Sequence, residues 1–499
     1  MDIFQTIEIL LLLSLFVAWW LGAYRNNVLK LDKMVLDSTP PWCFASKESK
    51  SKIPGPTALP ILGTSWVYSK LGGYTFSQVH TYYKDMVKKY GPVAKEEALW
   101  NVPVISVFTR ADIEKVLKES GRYPIRPPTE AIAQYRRSRK DRYASTGIVN
   151  EQGEQWQNLR TNLTSDLTSS KTISSYLPEL ENIADDFCHL LKTTRNSKSQ
   201  VLHVEELASR LGLETICCLV LGRRMGFLLN KEINESSIQT RLATAVANHF
   251  VACRDTYYGL PLWKLYPTKA YTKLSKSEEE IYDLVLEIIQ SAKVDDPDIC
   301  AAIFQSVLSA HIDPREKTAA IVDFIAAGIY TMRNTLVFLL DAIAKHQHTQ
   351  EKLLQDGAYL RACINEAFRL TPTAICLARV TQSELELSGY PVPAGSVVLC
   401  QTAVACRDDA NFYKANEFLP ERWLDAEKTN TSSAATFLVI PFGVGRRTCP
   451  GKRFIEQSLP VLLRRIIQQF AVKNERELDL QFEFLLAPKG PVTMIFEDR

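Results

Sequence analysis

The sequence predicts a mainly α-helical fold with a small β portion. Apolar residues recur at helical spacing along most of the 499-residue chain, whereas strand-like alternation is confined to two places. One long and very apolar segment, residues 314–346, predicts a helix buried in the core. After residue 57 no Gly/Ser-rich linker and no internal repeat divides the chain, which favours one large domain.

Composition and charge exclude several functional classes. The net charge is +3 and no block of five like charges occurs, so no nucleic-acid partner is predicted. The eleven cysteines form no CxxC pair, which favours reduced and mostly buried thiols over a disulfide-built secreted domain. The seven histidines show no zinc-binding spacing.

The N-terminal residues form a nearly unbroken apolar run. It is just long enough to span a bilayer, so residues 1–24 are predicted to be a membrane anchor or targeting segment. A cleaved signal peptide is the alternative, but the acidic Asp2 and Glu8 stand where such a peptide needs basic residues. Residues 25–56 are predicted to form a polar linker ending in a stiff Pro-Gly-Pro hinge, and residues 57–499 the folded domain.

Helical spacing predicts ten helices and two strand regions. The helices are predicted at 80–90, 111–119, 151–168, 174–194, 204–222, 238–250, 275–292, 314–346, 350–370 and 452–470. Two short apolar runs in 93–109 predict strands. Alternation around the Pro/Gly-rich residues 391–395 predicts a hairpin within 380–400.

The predicted helix at 314–346 is the longest. Asp313 can cap it, Pro314 suits its first position, and Glu316 can complete a capping box. Its middle, residues 321–340, is apolar on nearly every side, which predicts burial through the core. A second membrane span is the alternative, but the segment contains an aspartate and an arginine, which lipid disfavours.

One loop near the C-terminus has the features of a haem-ligand cradle. It runs from Phe442 to Gly451 and holds a single cysteine, Cys449, among three glycines. Gly445 and Gly451 allow backbone turns that a side chain would block, and N–H groups and positive charge keep a thiolate ionised. Arg447 can reach a haem propionate, and Phe442 can keep water from the sulfur. The alternative is a Gly-rich turn with an inert, buried cysteine.

This loop closely resembles the signature of the cytochrome P450 superfamily of haem-thiolate monooxygenases. The resemblance implies the fold of that family, with the long central helix over the haem, and a haem-thiolate monooxygenase domain over residues 57–499. It also implies heme b (iron protoporphyrin IX) as the cofactor, with the Cys449 thiolate as the metal ligand. In such enzymes the thiolate pushes electron density onto iron and favours cleavage of the O–O bond.

The long helix carries most of the family's distal pattern. Ala327, Gly328 and Thr331 match a small residue, a glycine and a threonine, and the resemblance implies that they serve catalysis. The Thr331 hydroxyl can donate to dioxygen or hold a water for proton delivery. Tyr330 stands where the family has an acid, which departs from the usual acid–alcohol proton relay. The alternative is a helix-packing notch, with the threonine bonded to a carbonyl of its own helix.

Three residues outside the loop match the family's haem-binding positions. Trp156 and Arg160 lie one helical turn apart, which places an indole N–H and a guanidinium on one face, suited to a propionate. Arg379 can reach the other propionate. An amphipathic helix with a tryptophan at its edge is the alternative for the first pair. The implied cofactor-binding set is Cys449, Phe442, Arg447, Gly451, Trp156, Arg160 and Arg379.

A charged trio is assigned a folding role. Glu366 and Arg369 lie three residues apart on a predicted helix, so the two side chains can pair on one face. In the resembled family a second arginine joins this pair, and Arg422 matches it here. A buried carboxylate shared by two guanidinium groups needs every partner, because the loss of one leaves a buried charge uncompensated.

Basic residues after the ligand loop imply a redox partner. Lys452 and Arg453 match two positions of the family's mitochondrial class, where an acidic ferredoxin of the adrenodoxin type docks. Arg361 is a further basic candidate, and Asn365 stands where that class has a second lysine. Two solvated charges at a helix start are the alternative, with electrons from a flavoprotein reductase. The mitochondrial inner membrane is favoured as the location, and the endoplasmic reticulum is the alternative.

Three stretches, 142–153, 222–228 and 254–264, resemble the insect members of this family that hydroxylate ecdysone. The resemblance implies conversion of ecdysone to 20-hydroxyecdysone, with the lipophilic steroid under a mostly apolar lid formed by residues 121–146 and 225–265. Three alternatives stay open. They are a monooxygenase of another steroid or lipophilic substrate, a haem-thiolate isomerase, and a haem-dependent sensor or steroid-binding protein.

Overall fold

The computed structural model describes residues 53–165, 169–229, 235–295, 307, 311–424 and 431–499. The predicted membrane anchor and all but the end of the predicted linker lie outside these residues. Within them the chain is mostly helical with small sheets, which confirms the predicted fold class.

The bounds of the helices and strands are as follows. The α-helices are α1 Val79–Tyr90, α2 Arg110–Lys118, α3 Glu130–Ser138, α4 Gly153–Thr164, α5 Ser170–Ser175, α6 Leu177–Thr194, α7 Val204–Leu221, α8 Ile238–Tyr258, α9 Lys269–Asp295, α10 Pro314–Ala344, α11 Gln347–Gln355, α12 Gly357–Leu370, α13 Thr402–Ala405, α14 Thr431–Leu438 and α15 Lys452–Gln469. The strands are β1 Val93–Glu97, β2 Pro103–Val107, β3 Gln200–Val201, β4 Leu377–Val380, β5 Leu385–Leu387, β6 Tyr390–Val392, β7 Val397–Cys400, β8 Phe470–Lys473, β9 Leu480–Phe482, β10 Leu486–Pro488 and β11 Met494–Asp498.

Each predicted helical segment contains a helix, and the differences have local causes. The segment predicted at 350–370 is divided between α11 and α12, because the Asp356 side chain accepts from the Ala358 N–H at 2.7 Å and caps α12. Helix α3 was not predicted, because its nine residues are too few to show an apolar pattern that repeats over several turns.

The main sheet has four strands in the order β1-β2-β7-β4. Strands β1 and β2 pair antiparallel, which confirms the strands predicted in 93–109. The hairpin predicted around 391–395 is wrong in its pairing, because β5 pairs with β6, while β7 pairs with β2 and β4. Ser388 and Gly389 both have positive φ, and they form the two-residue turn that matches the twist of paired strands.

Helix α10 starts as predicted, with one exception. The Asp313 carboxylate accepts from the Arg315 N–H at 2.9 Å, and Pro314 occupies the first turn. The predicted capping box does not form. Glu316 is buried, burial raises the pKa of its carboxyl, and its Oε1 has no hydrogen-bond partner among the described residues.

Burial of α10 confirms that it is a core helix. By length and composition this helix could cross a bilayer, but 61% of its most apolar window is buried inside the protein. Its Asp323 forms an ion pair with Arg136 of α3, at 2.6 Å. Helix α7 packs closely along it, and a Cβ added at Gly212 of α7 would lie 3.0 Å from the Ile329 carbonyl oxygen. Glycine therefore favours the close approach of the two helices at this point.

The end of the predicted linker lies against β1. The Lys95 N–H donates to the Pro54 carbonyl at 2.8 Å, and Ile53 is buried in the core beside the sheet. A Cβ at Gly55 would lie 1.9 Å from the Lys95 carbonyl oxygen, so only glycine allows this approach. The segment boundaries at 24 and 56 stay predictions.

One buried carboxyl of the sheet makes stability depend on pH. Burial raises the pKa of Glu96 in β1 to about 8, so the folded protein binds a proton there that the unfolded chain releases near pH 4 to 5. A raised carboxyl pKa stabilises the fold at low pH, and this contribution is lost as pH rises from about 5 to about 8.

We expect Glu96→Gln to stabilise the protein increasingly as pH rises through this range, by at most about 5 kcal/mol at the upper end. Thermal unfolding midpoints at pH 5.5 and 8.5 measure the effect. Glu97→Gln is the control, because hydrogen bonds from Lys95 and Asn101 outweigh the effect of its burial and lower the pKa of Glu97. Equal midpoint shifts for Glu96→Gln at both pH values would contradict the expectation.

Candidate active site

The predicted ligand loop lies immediately before α15. Its backbone closes on itself through the Cys449 N–H, which donates to the Phe442 carbonyl at 2.8 Å. Gly443 and Gly445 have φ of 72° and 70°, in the left-handed region that favours glycine. The Arg160 guanidinium, from α4, donates to the Thr448 carbonyl at 2.6 Å and so fixes the residue before the cysteine.

The Cys449 sulfur is accessible but lies in a recess of the protein. Burial raises the pKa of this thiol, and the backbone N–H groups of Gly451 and Lys452 together with the Arg160 charge act against that rise. These groups are the donors and the positive charge that an iron-bound thiolate uses. The ring of Phe442 packs on that of Phe368 in α12, with centroids 5.4 Å apart.

The prediction for Gly451 needs a correction. Its φ is −77°, a conformation that any residue adopts, so Gly443 and not Gly451 provides the second turn of the loop. A Cβ at Gly451 would lie 3.8 Å from the Cys449 sulfur. The absence of a side chain there leaves the space beside the sulfur open.

Arg447 and Trp156 lie together. The Arg447 guanidinium carbon is 3.9 Å from the centroid of the Trp156 ring, which is buried in α4. Arg447 also donates to the carbonyls of Pro124 and Glu151, at 3.0 and 2.8 Å. These contacts hold a guanidinium in place at the recess of the ligand loop.

Four arginines converge at this place. Burial lowers the pKa of Arg447 to about 9, and the positive charges of Arg126, Arg379 and Arg160 lower it further than the nearby Glu151 can offset. Arg379, in β4, is 5% exposed, and its Nε has no hydrogen-bond partner among the described residues. Arg126 was missed by the sequence analysis, because it belongs to no helix or strand and meets the others only in the fold.

This cluster fits the group that the ligand loop implies. Positive side chains that repel one another in a buried place need an anion, and the described part of the chain brings too few carboxylates to balance them. The two propionates of a haem would supply the missing negative charge beside the accessible sulfur of Cys449. The residues present therefore fit a haem.

The distal residues divide between two faces of α10. Ala327 is exposed and Thr331 half-buried, so these two share the open face, and the Thr331 hydroxyl donates to the Ala327 carbonyl at 2.8 Å. Gly328 faces α7 instead, where a Cβ would lie 2.8 Å from the Ile216 side chain. For Gly328 the geometry is that of the helix-packing notch, which was the alternative to the assigned catalytic role.

Tyr330 points away from the open face. It is 1% exposed, its ring stacks on Phe250 of α8 with centroids 4.3 Å apart, and its hydroxyl donates to the Glu483 carboxylate. Burial and the Glu483 charge raise the pKa of Tyr330 well above its ordinary value. Glu483 was not among the predicted site residues, because it lies far from Tyr330 in the sequence.

Glu366, Arg369 and Arg422 form one buried cluster. Arg369 Nη2 lies 2.8 Å from Glu366 Oε1, and Arg422 Nε lies 3.1 Å from the same oxygen. Burial alone would raise the pKa of Glu366, but hydrogen bonds from Arg369, the Leu419 N–H and the Arg422 charge hold it below its ordinary value. The Trp423 indole N–H also donates to this carboxylate at 2.9 Å, a partner that the sequence did not predict.

The predicted redox-partner residues lie around one groove, which we call the proximal groove. Its volume is about 820 Å³, and Phe442 and Gly443 of the ligand loop form part of its wall. Its charged and polar lining includes the basic Arg361, Lys452, Arg464 and Arg465, the acidic Glu181 and Glu456, and Asn365. Arg453 instead donates to Ser170 of α5 at 3.3 Å, outside the lining. Arg464 and Arg465 were missed, because two arginines within a helix carry no distinctive spacing.

The cytochrome P450 family model matches residues 53–496, and the chain belongs to that family. This confirms the predicted class, a cytochrome P450 monooxygenase, and membership implies a haem with a cysteine thiolate ligand. The ecdysone 20-monooxygenase of Drosophila melanogaster is 44% identical over 90% of this chain and 88% of its own. Two more distant relatives from the same organism are cytochrome P450 302a1, mitochondrial, and probable cytochrome P450 12b2, mitochondrial. Each is 27% identical, over 88% and 90% of this chain and 94% and 89% of its own.

Proposed function

We propose that this protein is a steroid hydroxylase that converts ecdysone to 20-hydroxyecdysone, with electrons from a ferredoxin of the adrenodoxin type. The similarity to the Drosophila ecdysone 20-monooxygenase over 90% of the chain is the observation that carries the proposal. The arginine cluster beside the accessible Cys449 supports the haem site, and the excess of basic over acidic residues in the proximal groove supports the ferredoxin site.

The residues have distinct roles in holding the haem. Cys449 would provide the thiolate that holds the haem iron, and the propionates would be held by Trp156, Arg160, Arg379, Arg447 and the unpredicted Arg126. When bound, the haem supplies the redox chemistry that activates dioxygen and hydroxylates an unactivated carbon. Phe442, packed on Phe368, would help to keep water from the sulfur of the haem-bound thiolate and so preserve its basicity.

Thr331 is the residue on the open face of α10 whose hydroxyl can donate and accept a proton. Its Oγ1 donates to the Ala327 carbonyl, and a rotation of the side chain frees the hydroxyl to bind a water and pass its proton on. Tyr330 does not take the place of the missing acid on that face, since its hydroxyl is buried and bonded to Glu483. Proton delivery therefore depends on Thr331 and water.

The side of the site away from Cys449 is aromatic and suits a flat, apolar ligand. Tyr257 of α8 meets Phe484 edge to face with centroids 5.6 Å apart, and it lies near Arg126. Such a surface would bury most of a steroid skeleton and orient it through few polar groups.

The groove on the opposite side of the ligand loop supports the electron donor. Basic residues outnumber acidic ones in its lining, where Arg361, Lys452, Arg464 and Arg465 stand with Glu181 and Glu456, and the loop that holds Cys449 forms part of its wall. An acidic protein bound there lies close to the thiolate and is steered by the positive charge. The mitochondrial names of the two more distant relatives support the same partner class, and they support the mitochondrial inner membrane as the location.

An exposed apolar surface supports membrane association. Leu265 and Leu71 are 83% and 86% exposed, and Tyr266 and Leu262 lie beside Leu265 in the loop between α8 and α9. Gly259 at the end of α8 lies against Phe76, so the two leucine-bearing segments are neighbours. Apolar side chains grouped in this way insert into a lipid surface.

A steroid titration tests the proposal. The purified, haem-loaded protein is titrated with ecdysone while the Soret band is followed, with a fatty acid as the comparison ligand. We expect ecdysone to give a saturable low-to-high spin shift. We expect product from a ferredoxin with its reductase and none from a flavoprotein reductase. The absence of a spin shift with ecdysone would overturn the proposed substrate. Turnover with the flavoprotein reductase alone would overturn the proposal that a ferredoxin is the electron donor.

Charge reversal in the proximal groove is expected to weaken ferredoxin use selectively. For Lys452→Glu combined with Arg361→Glu we expect the KM for ferredoxin to rise about 10-fold or more at low salt and to approach the wild-type value at high salt. The maximal rate and the ecdysone spin shift should be unchanged. Lys88→Glu, a reversal outside the groove lining at a side chain that is 76% exposed, is the control. A salt-independent KM in the double variant would refute the docking site.

A further inference from the structure

The loop between β9 and β10 has a strained backbone. Phe484 at its tip has φ of 69°, in the left-handed region that a bulky side chain disfavours. Such a conformation persists only where the surroundings fix it, and it is found most often at functional sites. The loop, residues 483–485, is short, because Phe482 and Leu486 on either side already pair in the sheet.

Side chains from two helices hold this loop. From α8, Arg254 Nη1 donates to the Phe482 carbonyl at 3.0 Å. From α10, the Tyr330 hydroxyl donates to the Glu483 carboxylate, and Asn334 Nδ2 donates to the Leu486 carbonyl at 3.2 Å. The loop is thus fixed to the helix that carries Thr331 and to the helix that lies over the site.

Tyr330 connects all three elements. Its ring stacks on Phe250 of α8, its backbone belongs to α10, and its hydroxyl reaches the loop. The other Glu483 oxygen accepts from Gln481 Nε2 at 2.9 Å, so both oxygens of this carboxylate have donors. A buried tyrosine hydroxyl requires a partner, and here the partner is the carboxylate of the strained loop.

We propose that Tyr330 and Glu483 form a latch that holds the β9–β10 loop in place and thereby positions Phe484 against Tyr257 at the substrate side. The tyrosine that replaces the family's acid is then a positioning residue. A proton-delivering role fits the geometry less well, because Ala327 and Thr331 face the opening, whereas the side chain of Tyr330 is turned into the core.

Hydrogen–deuterium exchange of the haem-loaded full-length protein tests the latch without a substrate. Tyr330→Phe keeps the ring on Phe250 and removes only the hydroxyl, and Glu483→Gln keeps the size and removes the charge. We expect backbone amides of residues 482–486 to exchange about 10-fold faster in either variant, as the loss of one charge-assisted hydrogen bond implies. Because both changes act on the same hydrogen bond, the double variant should exchange no faster than the faster of the two single variants.

Tyr359→Phe is the matched control. It removes another buried tyrosine hydroxyl that donates to a glutamate, Glu421, at 3.0 Å, in a different part of the fold. Exchange at 482–486 should remain at the wild-type rate in this variant. Unchanged loop exchange in Tyr330→Phe would overturn the latch, and so would an altered solvent isotope effect on turnover with an undisturbed loop.

The consequence for the ligand rests on the proposed function. We expect Tyr330→Phe and Glu483→Gln to weaken the ecdysone spin shift several-fold, with the carbon monoxide spectrum of the reduced protein unchanged. If the wild-type protein gives no spin shift with ecdysone, the proposed substrate is wrong. The hydrogen–deuterium exchange data still test whether the latch holds the loop, because that experiment needs no substrate. If either variant keeps the full affinity for ecdysone although its loop exchanges faster, the proposal that the latch positions Phe484 for the ligand would be overturned.

Discussion

Replacement of Cys449 by serine is expected to abolish thiolate ligation and turnover. A serine hydroxyl does not ionise in the field of two backbone N–H groups and Arg160, so it cannot supply the electron-rich ligand. We expect activity to fall by more than about 100-fold, the upper range for loss of a residue that only supports a metal ligand. The reduced protein with carbon monoxide should lose the strongly red-shifted Soret band of a thiolate complex.

A second cysteine provides the control for this substitution. Cys376 is half-buried and close to Arg126, so Cys376→Ser makes the same chemical change on the haem side of the protein. We expect this variant to keep the red-shifted band. A Cys449→Ser protein with an unchanged Soret band and full activity would show that the sulfur is not the iron ligand.

Substitution of Glu366 by glutamine is expected to impair folding rather than chemistry. The carboxylate is fully buried, and the loss of its charge leaves the guanidinium groups of Arg369 and Arg422 without an anion. Breaking a buried ion pair in this way costs about 3–5 kcal/mol, a large part of the stability of a protein. We expect a strongly lowered thermal midpoint and little haem bound per polypeptide.

The pKa of Glu366 gives this expectation a pH dependence. Because its pKa is lowered in the folded protein, the carboxylate stabilises the fold above the ordinary glutamate range, and this contribution is lost as pH falls below that range. Glu421→Gln is the control, since that carboxylate is 47% exposed and its ion pair with Lys352 contributes little. A Glu366→Gln protein that retains the wild-type midpoint at neutral pH would contradict the folding role.

The parts of the site that could be predicted from the sequence are those carried by short segments. The ligand loop is continuous from Phe442 to Gly451, and Trp156 and Arg160 lie one helical turn apart, so local spacing indicates a shared site. Glu366 and Arg369 are recognisable for the same reason. The helices were predicted because apolar spacing repeats over many residues.

The parts that could not be predicted depend on contacts between distant segments. Arg126 joins the arginine cluster only in the fold, where its backbone is hydrogen-bonded to Gln152 just before α4, and Glu483 reaches Tyr330 across 153 residues. The hairpin in 380–400 was wrong because two candidate turns compete there, and positive φ at Ser388 and Gly389 decides between them. Gly328 was assigned a catalytic role because it matches the family's distal pattern, although a side chain at this position would face α7.

Product analysis with heavy-isotope dioxygen tests the central claim most directly. The wild-type protein is supplied with ecdysone, a ferredoxin and its reductase, and the steroid products are examined by mass spectrometry. We expect 20-hydroxyecdysone that carries one labelled oxygen atom from dioxygen, in amounts that depend on both electron-transfer proteins. If the protein has its haem bound and both electron donors present, recovery of unreacted ecdysone that has gained no oxygen atom would contradict the account.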